Sequence, residues 1–366
     1  MRGFSILCIL FFMAGALLAQ SQKYSVKGRL KGLGNQMVYL SNKGAAYSNI
    51  KKLKIIDSCY SKNDTFLLEG IIAEPDFYSI EVPSLNIGWQ TFILENTEYT
   101  ITGQIDSLHK AKIEGGPQQS AYHDYQDRIE KPFNEKYFFY REKNDESKDV
   151  NLYKDSLANL MIQFNHDFLN FIKANSDMFI GFNRLYSYAG MKMLTDSTQL
   201  AAFKSLSPEL KRRGIEKGLD VRIRGGLKVG DYLPDFTMED ISGQKVTLSA
   251  SYRKYVLVDF WASWCAPCIE ELNKIGKWYN KENSLDFEII GVSVDVDRSN
   301  WISALEKYKY PWIQVSDLMG SSSDFFNRCG IRSIPHNFLV DQNGQIVRVN
   351  INSEQLHQFL KEKHCY

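Results

Sequence analysis

The sequence lacks any long run of charges of one sign. Its 366 residues contain 44 Lys and Arg against 43 Asp and Glu, which gives a formal net charge of +1. Surfaces that bind nucleic acid or anionic membranes usually concentrate Lys and Arg on one face. Internal repeats and low-complexity tracts are also absent from the sequence. We therefore expect no nucleic-acid partner, and small molecules or protein thiols are the favoured partners.

Long hydrophobic runs are lacking after the N-terminus. Residues 4–18 are apolar, follow the positively charged Arg2, and lead to small residues at Ala16 and Ala19. This arrangement predicts a signal peptide over residues 1–20. About 15 apolar residues fall short of the roughly 20 that a spanning helix needs, which disfavours an uncleaved anchor. The remaining chain is then expected in the periplasm or outer cell envelope, where disulfides form and persist.

The length and patterning of the chain predict several domains. A prior of roughly 150 residues per domain gives two or three units. Short alternating runs with turn residues between them predict a small all-β sandwich over residues 21–116. Apolar residues at helical spacing predict a helical linker region over residues 117–226, in which the aromatic run Phe138-Phe139-Tyr140 is expected in a core or an interface. Residues 227–366 alternate strands and helices, which predicts a mixed sheet with helices on both faces.

The segment Trp264-Cys265-Ala266-Pro267-Cys268 lies between an apolar strand and a helix. Two cysteines separated by two residues can close a small disulfide ring. At the start of a helix, unpaired amide groups and the helix dipole favour a thiolate at Cys265. We expect Cys265 to be exposed and to attack, and Cys268 to be buried and to resolve the mixed disulfide.

Two other interpretations of the cysteine pair are a zinc site and a structural disulfide. Zinc would need a second pair of Cys or His ligands at a compatible spacing. Cys329, Cys365 and the six His residues do not provide such a pair. We therefore expect no metal and no cofactor. Cys329 is expected to be a small packing residue, and the pairing of Cys59 and Cys365 stays open.

Three segments resemble exported thioredoxin-like proteins of the TlpA-like and ResA-like branch. They are the motif Asp259-Phe260-Trp261-Ala262-Ser263-Trp264-Cys265-Ala266-Pro267-Cys268, the preceding Val229-Gly230-Asp231-Tyr232-Leu233-Pro234-Asp235-Phe236, and the later Gly330-Ile331-Arg332-Ser333-Ile334-Pro335-His336. The resemblance covers residues 228–363. It implies an α/β thioredoxin-like fold and thiol:disulfide oxidoreductase activity. The β-rich front part is similar to an uncharacterised β-domain that often precedes such domains in bacterial envelope proteins.

The resemblance assigns roles to further residues. Pro335 matches the thioredoxin proline that follows a cis peptide bond, which turns the backbone of Ile334 toward an extended substrate. Asp259 matches a buried carboxylate whose raised pKa lets it accept the proton of Cys268. For Pro335 the favoured interpretation is a cis proline, and the alternative is an ordinary strand-edge proline. For Asp259 the favoured interpretation is a proton acceptor, and the alternative is a hydrogen-bonded strand terminus.

Three other positions are assigned less uniquely. Glu271 matches a glutamate that tunes the two thiols in exported relatives, although the adjacent Glu270 could be the one that faces the active site. His336 could tune the thiolate charge or line the rim of the site. Trp264, with Ile334 and His336, is expected to contact substrate.

Three functions compete. The favoured one is an envelope reductase of protein disulfides that a membrane electron donor reduces again. A thiol peroxidase shares the fold, but peroxide-reducing relatives carry a lone reactive Cys where this chain has Cys265 and Cys268. A binding protein that uses the thioredoxin-like unit as a scaffold is the third.

Overall fold

The computed structural model describes residues 23–42, 54–146, 153–189, 191, 193–279 and 286–365. The predicted signal peptide over residues 1–20 lies outside these residues. Within the described ranges, no helix is long and apolar enough to cross a membrane. By its backbone contacts the chain divides into two compact units, with the first ending at His123 and the second beginning at Asp124. The domain boundaries at residues 116 and 226 stay predictions.

The first unit is a sandwich of two four-stranded sheets with the strand orders β4-β1-β7-β8 and β3-β2-β5-β6. The described strands are β1 Tyr24–Lys31, β2 Met37–Asn42, β3 Lys54–Tyr60, β4 Thr65–Gly70, β5 Asp76–Glu81, β6 Trp89–Leu94, β7 Glu98–Gln104 and β8 Lys112–Glu114. Alternate residues of β1, namely Tyr24, Val26 and Leu30, are buried between the sheets. Because successive side chains point to opposite faces of a strand, this alternation creates the single core of the sandwich.

The sandwich predicted from the sequence is confirmed, but the sequence gives no clear signal for two edge strands. In β3 the apolar residues Ile55 and Tyr60 are exposed, so the strand has no regular alternation. β8 is only three residues long. An edge strand pairs on one side only, so its side chains are less constrained by packing.

Along the sequence, helices follow the sandwich and precede the second sheet. They are α1 Pro117–Tyr125, a π-helical turn Gln126–Glu130, α2 Lys131–Glu146, α3 Lys154–Ala174, α4 Phe179–Tyr188, α5 Asp196–Ser205, α6 Pro208–Glu216 and α7 Leu219–Ile223. Ser207 caps α6 through a bond from the Leu210 amide, and Pro208 occupies its first turn. Phe138 and Phe139 were expected in a core or an interface; the core alternative was wrong, because both rings are exposed on α2, and the interface alternative stays a prediction.

The C-terminal region is a seven-stranded mixed sheet with the order β10-β9-β13-β12-β11-β14-β15. Its strands are β9 Thr237–Asp240, β10 Lys245–Thr247, β11 Tyr255–Trp261, β12 Phe287–Ser293, β13 Ile313–Ser316, β14 His336–Asp341 and β15 Ile346–Val349. Its helices are α8 Ala266–Tyr279, α9 Arg298–Tyr308, α10 Asp324–Arg328 and α11 Ser353–Glu362. The predicted fold class, an all-β domain and a helical segment before an α/β thioredoxin-like domain, is confirmed.

The two faces of β11 are covered by different helices. Phe260 packs on Phe325 of α10, with ring centroids 5.4 Å apart. Trp261 points to the other face and donates a hydrogen bond to Gln314. Trp312 shares that face with Gln314 and packs against Tyr279 of α8. The face that carries Trp261 and, two residues earlier, Asp259 is therefore the face that α8 covers.

The strand register brings two loops to one edge of the sheet. β11 pairs with β14 antiparallel from Tyr255–Asp341 to Phe260–His336. The end of β11 therefore lies beside the start of β14. The loop that carries Cys265 and the loop that carries Pro335 emerge at the same edge.

Candidate active site

Cys265 and Cys268 are joined by a disulfide, with Cα atoms 5.3 Å apart. Helix α8 begins directly after Cys265, whose Sγ accepts a hydrogen bond from the Cys268 amide at 3.3 Å. The Cys265 carbonyl accepts from the Ile269 amide at 3.1 Å. Once the disulfide is reduced, the Cys268 amide and the helix N-terminus favour the thiolate form of Cys265.

The expected exposure of Cys265 was wrong. Cys265 is 4% exposed and Cys268 is 1% exposed, so both belong to the core of the C-terminal domain. Trp264 is the exposed residue of the segment, at 68%. In the loop before the helix, the Cys265 amide donates to the Ala262 carbonyl at 3.0 Å, and the Cys265 side chain packs among the core residues of the domain.

Asp295 anchors this loop from the neighbouring strand. The Ser263 amide and hydroxyl donate to its two carboxylate oxygens at 2.9 and 2.7 Å. The Ser293 hydroxyl donates to the same carboxylate at 2.7 Å. Asp295 was not predicted from the sequence, although an acidic residue just beyond β12 falls at the edge where the parallel strands end. Asp295 fixes the loop that carries Trp264 and Cys265.

Asp259 lies inside the sheet on β11, two residues before this strand ends at Trp261. Burial, and in addition the negative charge of Glu271, raise the pKa of Asp259 to about 8, against the opposing effect of a hydrogen bond from Asn337. The Asn337 Nδ2 atom lies 3.5 Å from Asp259 Oδ1. A carboxyl group with this pKa can hold or release a proton near neutral pH.

Asn337 is a second residue that the sequence analysis missed. It is directly opposite Asp259 in the β11–β14 register. Its Nδ2 donates to the Ile351 carbonyl at 2.9 Å, and its Oδ1 accepts from the Ile351 amide at 2.9 Å. These bonds hold the Asn337 amide in place beside Asp259. Only the strand register identifies this contact.

Of the two neighbouring glutamates, Glu271 is the one whose charge acts on Asp259, whereas Glu270 is largely exposed to solvent. The Glu271 side chain is 25% exposed, and the Ser353 amide at the start of α11 donates to its Oε1. The Glu270 side chain is 70% exposed and pairs with Lys274 at 2.8 Å. The ambiguity between the two is therefore resolved by the side of α8 on which each residue lies.

The loop before β14 has a cis peptide bond between Ile334 and Pro335. Ile334 is half-buried and Pro335 is exposed. Ile334 precedes the first β11–β14 pair, Phe260–His336, so its backbone is outside that ladder. Burial lowers the pKa of His336 to about 4. The His336 ring is consequently neutral near pH 7 and lines the rim without adding charge.

One cleft brings several of these residues together. Its lining includes Pro267 from the cysteine loop, Pro335 and His336 from the cis-proline loop, and Glu270 and Glu271 from α8. Residues that are distant in the sequence thus share one concave surface next to the disulfide.

The other described cysteines take no part in a disulfide. Cys329 is buried, and burial raises the pKa of its thiol above the ordinary range. A thiol that resists ionisation is a poor nucleophile, which fits the predicted packing role. Cys59 and Cys365 are both unpaired.

Two protein families match separate parts of the chain. Residues 228–362 match the Redoxin family, and residues 24–122 match a domain of unknown function, DUF4369. The thiol-disulfide oxidoreductase ResA of Bacillus thuringiensis subsp. konkukian is 26% identical over 139 residues, which cover 37% of this chain and 79% of that protein.

Two of the similar solved structures come from Bacteroides species. The thioredoxin domain of a thiol-disulfide oxidoreductase from Bacteroides vulgatus is 34% identical, with 38% of this chain and 99% of that chain covered and a TM-score of 0.36. A thiol-disulfide oxidoreductase from Bacteroides fragilis is 32% identical, with 36% and 99% covered and a TM-score of 0.35.

The cysteine pair, the cis proline, the Redoxin match and the similarity to ResA indicate a thioredoxin-like thiol-disulfide oxidoreductase. The C-terminal domain therefore belongs to the Redoxin family and is similar to the TlpA/ResA-like proteins, and a DUF4369 domain precedes it in the chain.

The buried carboxyl group predicts an unusual pH dependence of stability. An unfolded aspartate has a pKa near 3.9, whereas folded Asp259 has a pKa of about 8. Between these values the folded chain keeps a proton that the unfolded chain releases, so this group lowers the free energy of unfolding by up to about 1.4 kcal/mol per pH unit as pH rises. The stability of Asp259→Asn relative to wild type should therefore increase from pH 4 to pH 8 and then level off.

Urea unfolding of the oxidised full-length chain, followed by tryptophan fluorescence, measures this difference. The exposed aspartate change Asp145→Asn is the control and should give a constant difference from wild type. Parallel stability curves for Asp259→Asn and wild type would show that Asp259 is charged in the folded protein at neutral pH.

Proposed function

We propose that this oxidoreductase reduces protein disulfides in the cell envelope through Cys265 and Cys268. The observation that carries the proposal is a cysteine pair at a helix start together with a buried carboxyl group of near-neutral pKa on the strand that α8 covers. This combination supplies a nucleophile and a separate proton acceptor, which are the two groups that dithiol exchange requires.

Cys265 performs the first step in this proposal. Its thiolate attacks one sulfur of the substrate disulfide, the substrate S–S bond breaks, and one substrate thiolate leaves. A mixed disulfide between Cys265 and the substrate remains. The helix N-terminus and the Cys268 amide favour the charged form of the attacking sulfur.

Cys268 and Asp259 perform the second step. The Cys268 thiol gives its proton to the Asp259 carboxylate, and the resulting thiolate attacks Cys265 Sγ. The second substrate thiolate leaves, and the Cys265–Cys268 disulfide forms. Two electrons have then passed from the protein to the substrate.

The cis-proline loop and the exposed tryptophan supply the substrate surface. Ile334 presents backbone groups outside the β11–β14 ladder, where an extended segment can add as a strand. Trp264 offers a large exposed ring beside the disulfide, and His336 lines the adjacent cleft. A surface that binds a substrate through its backbone and its shape suits protein substrates with varied sequences.

Location and electron supply complete the proposal. The predicted signal peptide and the relatives named ResA support an envelope location, either the periplasm or the outer cell envelope. Each turnover leaves the pair oxidised, so a membrane electron donor is needed to reduce it again. Oxidised apocytochromes, whose haem-binding thiols must be reduced in cytochrome c biogenesis, are one proposed substrate class.

A trapping experiment tests the two cysteine roles. Reduced full-length Cys268→Ser should form a stable mixed disulfide with insulin, because Cys265 can attack but nothing resolves the adduct. Cys265→Ser is the matched control and should form none. Non-reducing electrophoresis followed by mass spectrometry identifies the adduct and the cysteine that carries it.

Three results would contradict the proposal. Equal trapping by both variants would remove the division of roles between the cysteines. A wild-type chain that does not reduce insulin, combined with no adduct on Cys268→Ser, would favour the scaffold function. Consumption of hydrogen peroxide by the wild-type chain at a rate above insulin reduction would favour the peroxidase.

The neighbouring glutamates provide a matched pair for the proton step. The charge of Glu271 raises the pKa of Asp259. Glu271→Gln should therefore lower that pKa and shift the acid limb of mixed-disulfide release to lower pH, while its amide oxygen still accepts from Ser353. Glu270→Gln should leave the profile unchanged, because Glu270 is exposed and paired with Lys274.

Single-turnover reduction of a model disulfide between roughly pH 5 and pH 9 measures both profiles. If the two variants shift the limb equally, general surface charge controls the step. If neither shifts it, Glu271 only caps helix α11.

A further inference from the structure

Three polar residues and a glycine form a row across four strands beneath α8. Asn337 is opposite Asp259 on β14, Gly291 is opposite Asp259 on β12, and Gln314 is opposite Gly291 on β13. Residues directly opposite one another in a sheet point to the same face. Gln314 is buried. A buried polar side chain on an otherwise apolar face is costly unless it is hydrogen-bonded. The polar groups of this row therefore need hydrogen-bond partners.

Gly291 lets the Gln314 side chain extend toward Asp259. A Cβ atom at position 291 would lie 2.3 Å from Gln314 Oε1 and 2.7 Å from Gln314 Nε2. The Gln314 amide therefore lies over β12, which is the strand between Gln314 and Asp259. Any side chain larger than hydrogen at position 291 would displace this amide.

The hydrogen bond with Trp261 distinguishes the oxygen from the nitrogen of the Gln314 side-chain amide. Its indole Nε1, which can only donate, lies 2.9 Å from Gln314 Oε1. The Nε2 group must then point elsewhere. Among the described residues, the buried Gln314 Nε2 has no hydrogen-bond partner. A donor held in a fixed orientation and left unused is available to a group that becomes an acceptor.

Tyr310, which packs against Trp261, adds a second unused donor. Its ring meets Trp261 edge to face, with centroids 5.6 Å apart. Its hydroxyl is buried and, in the part of the chain that the structure describes, has no partner. Burial, the neighbouring Tyr308 and the charge of Asp259 together raise the pKa of Tyr310. The Asp259 charge thus acts on the Tyr310 hydroxyl.

We propose that Gln314 and Tyr310 are positioning residues for the Asp259 proton, and that Gln314 Nε2 and the Tyr310 hydroxyl hydrogen-bond the Asp259 carboxylate when it is charged. The proposal rests on the proposed function of Asp259 as the acceptor of the Cys268 proton. When Asp259 takes that proton, it becomes neutral and no longer accepts hydrogen bonds from the two donors. The donors then return to the unbonded arrangement of the oxidised protein.

The two donors would act against burial. Hydrogen bonds to the charged form of a carboxyl group lower its pKa. Without them, burial and Glu271 would keep Asp259 protonated to higher pH, and fewer molecules would have an acceptor ready at neutral pH. Gln314 and Tyr310 would therefore extend the working range of the resolving step toward lower pH.

The test measures the Asp259 pKa in the full-length chain. Aspartate labelled with ¹³C at the carboxyl carbon is titrated by NMR in the oxidised protein, where Cys265 and Cys268 do not titrate, and Asp259→Asn identifies the Asp259 signal. Tyr310→Phe and Gln314→Met should each raise the Asp259 pKa by about one pH unit, the size expected for loss of a hydrogen bond to a charged group. The acid limb of mixed-disulfide release should move to higher pH by the same amount.

Tyr308→Phe is the matched control, because it removes a hydroxyl from a ring stacked on Tyr310 at 5.9 Å. It should leave the Asp259 pKa unchanged. If Gln314→Met does not fold, Tyr310→Phe alone decides the outcome. An Asp259 pKa equal to wild type in every folded variant overturns the proposal, as does an equal shift in Tyr308→Phe.

The two readouts separate this proposal from the function on which it rests. The NMR titration needs neither substrate nor turnover. A shifted pKa with an unshifted release profile would retain the hydrogen-bonding cluster and remove Asp259 from the resolving step. An unshifted pKa with normal insulin reduction would retain the reductase and reject the roles of Gln314 and Tyr310.

Discussion

The burial of one carboxyl group is the constraint on which the rest of the site depends. Asp259 lies in the sheet beneath the helix that carries Cys268, and burial moves its pKa to about 8. Burying a charge without compensation is costly, so the group is neutral at the pH where an exposed aspartate is charged. Because protonation near neutral pH is then reversible, electron transfer at the cysteines can be coupled to proton transfer within the domain.

The arrangement around Asp259 is set by strand register. Asn337 and Gly291 are its direct neighbours on β14 and β12. The same register places the end of β11 beside the cis-proline loop, while Asp295 fixes the cysteine loop from the end of β12. A shift of one residue in any of these pairings would turn the polar side chains to the opposite face. The precision of the site is therefore a property of the sheet.

The sequence predicted the parts of the site that have local signals. The Cys265–Cys268 pair at a helix start, the cis bond before Pro335 and the buried Asp259 all follow from residue type and the resemblance to a known family. Asn337 and Asp295 were missed because their contacts depend on register between distant segments. The exposure of Cys265 was mispredicted because a helix start does not fix burial. Its burial depends on packing in the core of the C-terminal domain, which brings together residues distant in the sequence.

The reduction potential of the Cys265/Cys268 couple tests the central claim most directly. Equilibration of the full-length chain with thiol redox buffers at pH 7, followed by alkylation and mass spectrometry, gives its value. A reductase requires a potential more negative than about −200 mV, in the range of thioredoxin at about −270 mV. A potential near about −120 mV, typical of a strong dithiol oxidant, would contradict the account and reverse the direction of electron flow.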